Sequence, residues 1–225
     1  EKRRISHLKE HEAIVVCDWK MKLLSFMFRE TTKEFYGKHG IPLIGFMVIQ
    51  NIPDGLPGTY LEGVENSDSN FLVSFYDLVM EDPLQDAYAV ACAKAQVFRE
   101  LRNHPIPALQ VHKIFLEEDG AGCFAGRYGR NITRFYKQWV DVEVVGISFG
   151  EAQDNKTSLD SHFSFINPTI QSGVVWEQGR AVDAKSIVKA IQHAKLRSTS
   201  VWSFKPIRGD ALPIFNNTLA IKKLK

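Results

Sequence analysis

The sequence predicts an α/β protein in which a mixed five-stranded sheet is flanked by helices. Three apolar, strand-like segments follow one another in the first 80 residues, which favours an antiparallel meander. From residue 83 onward, segments with a helical period of about 3.6 alternate with two further strand-like runs, a pattern typical of parallel crossovers. In such a sheet the first strand lies next to the fourth, so residues at the ends of these two strands come together.

The first strand is predicted at residues 13–22, AIVVCDWKMK, where an apolar run ends at Asp18. The second, at 41–50, is apolar almost throughout, which indicates burial on both faces. Residues 71–80 favour a third strand, although so short a run is also compatible with a helix. Gly, Pro, Asp, Asn and Ser residues are concentrated in 51–70, which predicts a loop.

The most regular helical pattern begins near Pro83. Asp82 is placed to cap its amino end, and a proline is tolerated in the first turn. We expect the helix to end before His104, which a second proline follows. Its apolar stripe consists of Leu84, Tyr88, Ala91, Ala95 and Phe98.

Strands and helices then alternate along the chain. Apolar runs predict strands at 109–116 and 142–149. Helical periodicity predicts helices around 124–139, at 156–170 and at 183–194. Asp183 is expected to cap the last of these helices. The remaining residues alternate like one or two edge strands.

Composition is that of a globular protein, with 44% hydrophobic and 24% charged residues, enough apolar material for one good core. The formal net charge of +2 neither requires nor excludes a nucleic-acid partner. No apolar run approaches the roughly 18 to 20 residues that cross a bilayer, so we expect a soluble, intracellular protein without a membrane partner.

The chain divides into three predicted regions: a polar amino-terminal arm at 1–12, a core at 13–195, and a strand extension with a basic tail at 196–225. Because it begins with Glu1, we expect it to be part of a longer protein. Its three cysteines form no CxxC pair, which argues against a structural zinc site and indicates reduced, buried thiols.

Three acids occupy positions that the predicted sheet brings together. Asp18 ends the apolar run of the first strand, and Asp119 follows the fourth strand. Asp160 lies at the start of the third helix, in NKTSLDSHFSFI. One acid at a strand end ordinarily just reaches solvent. Three clustered carboxylates would repel one another unless a cation lay between them, so the arrangement predicts a divalent metal site.

Five segments carry a resemblance to a known family: VVCDWKMK, RETTKEFYGKHGI, Gln85 with Asp86, EDGAGCF and EAQDNKTSLDSHF. In this order, and placed on the predicted sheet, they span most of residues 13–165. The chain resembles the ribonuclease H-like catalytic core of transposases and retroviral-type integrases, and most closely the transposase-derived proteins of eukaryotic mobile elements.

The resemblance implies that Asp18, Asp119 and Asp160 are the catalytic acids and hold two Mg²⁺ or Mn²⁺ ions. Glu151, just after the fifth strand, is the alternative third acid. The implied activity is strand transfer or endonucleolytic cleavage of DNA, with no small-molecule cofactor. A nuclear location and a homo-oligomer assembled on DNA are implied in the same way.

Four further residues are candidates for substrate binding. Lys20, Lys22 and Lys156 could neutralise DNA phosphates, although isolated lysines are usually solvated. His162 could contact substrate or a metal-bound water, or simply lie on the helix surface.

Three features depart from the family pattern. Ser164 and Asn167 stand where integrase-like cores often place a DNA-contacting lysine, one or two turns after the third acid. The chain reads Asp119-Gly120-Ala121 where such elements often have Asp-Asn-Ala, and Asn155-Lys156 in place of Gly-Lys. The alternative function is therefore a domesticated core with weakened catalysis that acts as a nucleic-acid-binding or assembly module. A ribonuclease H-like nuclease acting on RNA hybrids or branched DNA is a third hypothesis.

Overall fold

A computed structural model describes residues 7–27, 31–32, 40–52, 71–150, 158–177, 179–196 and 198–206. The strands are β1 (Glu12–Leu24), β2 (Phe26–Met27), β3 (Gly40–Asn51), β4 (Phe71–Met80), β5 (Lys113–Asp119), β6 (Glu143–Gly150), β7 (Arg180–Ala181) and β8 (Thr199–Phe204). The helices are α1 (Ala87–Arg102), α2 (Gly122–Ala125), α3 (Arg127–Ile132), α4 (Tyr136–Val140), α5 (Ser158–Glu177) and α6 (Ala184–His193).

Within the described ranges, six strands form the main sheet in the order β6-β5-β1-β3-β4-β8, and β2 pairs with β7 separately. The β1–β3 and β3–β4 pairs are antiparallel, whereas β5 runs parallel to β1 and β6 parallel to β5. The predicted α/β class, with a mixed sheet and β1 next to β5, is therefore confirmed. The sheet has a sixth strand because β8 adds in parallel beside β4, beyond the predicted core boundary at residue 195.

Two hydrophobic layers cover the sheet, one on each face. Alternate residues of a strand point to opposite faces. Val15 and Cys17 accordingly pack into the layer that contains α1 and α4, which we call the α1 face. Ile14 and Val16 pack into the layer that contains α5 and α6, which we call the α5 face. The same alternation directs Asp18 to the α5 face.

Helix α1 begins four residues later than predicted. Asp86 caps it, its carboxylate accepting the Ala89 N–H at 2.8 Å. Asp82, the predicted cap, instead accepts the Leu84 N–H in the preceding turn. Leu84 therefore lies outside the helix and is 54% exposed, so its predicted place on the apolar stripe is wrong.

The helix predicted around 124–139 is divided into α2, α3 and α4. Gly126 between α2 and α3 has an extended backbone with ψ 159°. A Cβ at Gly126 would overlap the carbonyl oxygen of Gly122, so only glycine allows this break. The strand predicted at 109–116 starts at Lys113 instead, because Pro107–Leu109 forms a 3₁₀ turn.

The last two helices match their predicted positions more closely. Helix α5 continues past the predicted end at residue 170 and contains Pro168. Helix α6 is capped by Asp183, which accepts the Ser186 N–H at 2.8 Å, as predicted. No described helix has the length and apolar character that a membrane span requires. The predicted arm at 1–6, most of the loop at 51–70 and the tail from 207 lie outside the described residues.

A buried ion pair lies on the α1 face. Lys94 of α1 and Glu118 of β5 form it, and each side chain is only 1% exposed. The thiol of Cys17 lies near both: burial raises its pKa most, Lys94 lowers it, and Glu118 raises it further. Cys17 and Cys92 are buried and free, as predicted, whereas Cys123 is partly exposed. Because the two charges of the ion pair have given up their hydration, each depends on the other.

We predict that Glu118→Leu lowers the free energy of unfolding by about 3–5 kcal/mol, since it leaves the Lys94 ammonium buried and unpaired. The double variant Lys94→Met with Glu118→Leu should recover most of that loss. Urea denaturation measures both. As a control, Lys137→Met breaks an exposed pair with Asp141 and should have a much smaller effect. A single variant as stable as the parent would contradict the prediction.

Candidate metal centre

Two carboxylates lie side by side where β1 and β5 run parallel. Cys17 pairs with Glu118 in register, so the next residues along the strands are Asp18 and Asp119. Glu118 points to the α1 face, where it meets Lys94. Because side chains alternate, Asp119 points to the α5 face together with Asp18. The predicted adjacency of these two acids is thus present in the sheet.

Asp160 lies over the same face, in the first turn of α5. Leu159 and Phe163 of this helix are buried against the sheet above Gly45, the β3 residue that pairs with Asp18. A Cβ at Gly45 would lie 2.6 Å from Phe163 Cζ and 3.2 Å from Leu159 Cδ1. The missing side chain therefore lets α5 approach the sheet closely enough for the charge of Asp160 to act on Asp18.

Electrostatics connect the three acids. The pKa of Asp18 is raised to about 6, chiefly because burial disfavours its charged form. The Trp19 N–H, which donates to Asp18 Oδ1 at 2.7 Å, opposes the rise. The negative charges of Asp119 and Asp160 raise the pKa further. Both acids therefore act on Asp18 as like charges.

The donor chemistry of this cluster fits a divalent cation. Three carboxylates supply the oxygen ligands that Mg²⁺ and Mn²⁺ prefer, and a cation would relieve their mutual repulsion. Among the described residues, no three His, Cys, Asp or Glu side chains converge closely enough to form a metal-binding group. Asp18, Asp119 and Asp160 thus lie on one side of the sheet, and the charges of the other two act on Asp18. Their side chains, however, are not close enough together to form a set of metal ligands.

Lys20 and Lys22, two of the lysines predicted to contact DNA phosphates, differ from each other in their surroundings. Lys20 donates from Nζ to the carbonyl oxygen of Phe163 at 2.6 Å and lies 5.4 Å from the centre of that ring. Burial lowers its pKa, and the charge of Asp77 opposes this. Lys20 therefore ties β1 to α5. Lys22 is exposed, whereas Lys156 and the alternative acid Glu151 lie outside the described residues.

His162 lies on the face of α5 that packs against the sheet. From the sequence we expected it either to contact substrate or a metal-bound water, or to lie on the helix surface. Its side chain is 8% exposed, and its Nε2 donates to Asp77 Oδ2 at 2.7 Å. The imidazole stacks on Phe75 with ring centres 4.2 Å apart. Asp77, a fully buried acid in the mainly apolar strand β4, was not among the residues predicted from the sequence. An acid within an apolar run is the signal that could have identified it.

Comparison of the sequence with protein-family models and with curated proteins finds no match. The candidate site therefore stands on the placement and charge of its residues. Those residues are three acids on one face of the sheet, a glycine that admits α5, and two side chains, Lys20 and His162, that hold α5 in place.

We predict that Asp18→Asn stabilises the protein at pH 7. The folded-state pKa of about 6 exceeds the usual value of 3.8, so the folded state binds the extra proton between these two pH values. Stability therefore falls as pH rises through this window and stays low above it. Removing the carboxylate should add about 1–2 kcal/mol at pH 7, after allowance for solvent screening, and little near pH 3.5.

Thermal unfolding at several pH values measures this effect, and Asp141→Asn is the control of opposite sign. Hydrogen bonds from Lys137 and Arg102 lower the pKa of Asp141 to about 2, so that carboxylate stabilises the fold above its usual pKa. Its loss should destabilise the protein at neutral pH. An Asp18→Asn variant less stable than the parent at pH 7 would contradict the prediction.

Proposed function

We propose that this chain is the ribonuclease H-like catalytic core of a transposase-type enzyme that cleaves or joins DNA with divalent metal ions. The observation that carries the proposal is the placement of Asp18, Asp119 and Asp160 on the α5 side of the sheet, where the charges of Asp119 and Asp160 act on Asp18. Parallel strands β1 and β5 supply two of these acids, and α5 supplies the third across Gly45. The confirmed mixed sheet supports the resemblance that first suggested this function.

In this proposal Asp18, Asp119 and Asp160 hold two Mg²⁺ or Mn²⁺ ions. When bound, such a pair of ions activates an attacking oxygen and stabilises the leaving oxygen of a phosphodiester. The protein's own contribution is to present ionised carboxylates from rigid elements. Asp18 and Asp119 are fixed by strand pairing, and Asp160 by the packing of α5. A site built on strands and a helix is held more accurately than one built on loops.

DNA is the partner that this function requires. Lys22 is exposed beyond Asp18 on β1 and is available for a phosphate contact, which would add salt-dependent affinity without sequence preference. Assembly as a homo-oligomer on DNA and location in the nucleus belong to the same proposal and derive from the resemblance alone.

One observation favours a second candidate function. Because the acids stand apart as a ligand set, the core could have weakened catalysis and act as a nucleic-acid-binding or assembly module. The two candidates differ in a measurable property: the enzyme requires metal for its action on DNA, whereas a binding module would hold DNA in the presence of a chelator.

We predict that the purified chain nicks supercoiled plasmid DNA with Mn²⁺ and that Asp18→Asn, Asp119→Asn and Asp160→Asn each reduce the rate at least about 100-fold. Each acid is expected to contribute a few kcal/mol of transition-state stabilisation through the metal. Asp183→Asn is the matched control, since asparagine caps α6 as well as aspartate does.

The nicking assay distinguishes the two candidate functions. The enzyme function is supported if nicking requires Mn²⁺ and is lost in the three variants but not in the control. Undiminished nicking by the variants would contradict the assignment of the acids. DNA retention without nicking, unchanged by chelator, would favour the binding module.

A further inference from the structure

A buried polar pair lies close to the three acids, and the proposed chemistry does not use it. Asp77 is fully buried and His162 nearly so, and the hydrogen bond of 2.7 Å between them joins β4 to α5. Asp77 pairs in register with Gly45, which in turn pairs with Asp18. Asp77 therefore lies on the same transverse row of the sheet as Asp18 and Asp119, on the far side of the glycine.

Stability does not explain this pair. A buried carboxylate and imidazole lose their hydration, and apolar side chains of similar size usually fill such a space at lower cost. Asp77 Oδ1 has no hydrogen-bond partner among the described residues, so compensation is incomplete. Phe75 stacks on the imidazole, and the charge of Lys20 interacts with that of Asp77. Buried polar pairs of this kind are best attested as devices that fix one arrangement among several.

The arrangement that the Asp77–His162 pair can fix is the rotation of α5 about its own axis. With about 100° between successive residues, Leu159 and Phe163 form the stripe that faces the sheet. His162 flanks this stripe on the side of β4, where it meets Asp77. Asp160 flanks it on the opposite side, where its charge acts on Asp18 of β1. Any rotation of α5 that moves His162 away from Asp77 therefore also moves Asp160 relative to Asp18.

Phe163 and Leu159 fill the space above Gly45, and such contacts between apolar groups are not directional. Hydrogen bonds are directional. The bond from Lys20 to the Phe163 carbonyl holds the middle of the stripe, and the bond from His162 to Asp77 holds its flank. Two such bonds define both the position and the rotation of the segment that carries Asp160.

We infer that Asp77 and His162 are positioning residues, which fix the rotation of α5 and thereby place Asp160 for metal binding. The inference rests on the proposed function, because it concerns the geometry of that same metal centre. It assigns His162 a role beneath the site, in place of contact with substrate.

The test is Mn²⁺ affinity, measured by electron paramagnetic resonance on the whole chain. His162→Gln retains an N–H that can reach Asp77 and should bind Mn²⁺ within about threefold of the parent. His162→Asn is also an amide but one methylene shorter, and should lose on the order of 10-fold in affinity, as substitutions behind metal ligands commonly do. The comparison between two amides separates hydrogen bonding from polarity.

Two further variants separate positioning from stability. Asp77→Leu with His162→Phe replaces the pair by apolar groups; it should fold but lose on the order of 10-fold in Mn²⁺ affinity. Ile170→Ala removes buried volume from the same helix far from Asp160; it should lower the melting temperature and leave affinity unchanged.

The Mn²⁺ affinities of the variants either support or overturn the inference. Lower affinity in His162→Asn and in the double variant, with recovery in His162→Gln, supports the inference. Equal affinity in all variants, or a loss in Ile170→Ala that follows stability, would overturn it while leaving the proposed function intact. A parent chain that binds no Mn²⁺ would overturn the proposed function itself, and the inference with it.

Discussion

The parallel pairing of β1 with β5 is the constraint on which the rest of the structure depends. Its register sets Cys17 opposite Glu118 and so brings Asp18 and Asp119 together one residue further along. The same register directs Glu118 to the opposite face, where burial is tolerated only because Lys94 accompanies it. A slip of β5 by one residue would turn Asp119 to the α1 face, beside Lys94, and Glu118 to the α5 face. Core stability and the candidate site therefore depend on a single register.

The second requirement is the close approach of α5 to the sheet. Gly45 provides the space, and Leu159 and Phe163 fill it. Two polar contacts then hold the helix: Lys20 on β1 holds the middle of its buried stripe, and Asp77 on β4 holds one flank. In the resulting geometry burial raises the pKa of Asp18 to about 6, and the negative charges of Asp119 and Asp160 add to the rise. The protein thus accepts local repulsion at this point, which is expected where a cation is to be bound.

Much of this architecture follows from local patterns in the sequence. The strands β1, β3 and β4 are apolar runs, and Asp18 is prominent because it interrupts one of them. Two features depend on information that local patterns lack. Either Asp82 or Asp86 could cap α1, and the choice depends on how the chain leaves β4. The partnership of Asp77 with His162 joins residues 85 positions apart, so it arises only from the register of the sheet and the docking of α5.

The measurement that tests the central claim most directly is a crystal structure of the chain grown with Mn²⁺, with data collected at a wavelength where manganese scatters anomalously. Our account predicts anomalous density between the carboxylates of Asp18, Asp119 and Asp160, with those side chains drawn toward it. Manganese bound elsewhere, with the three carboxylates unchanged, would contradict the account and leave the cluster without a metal-binding role.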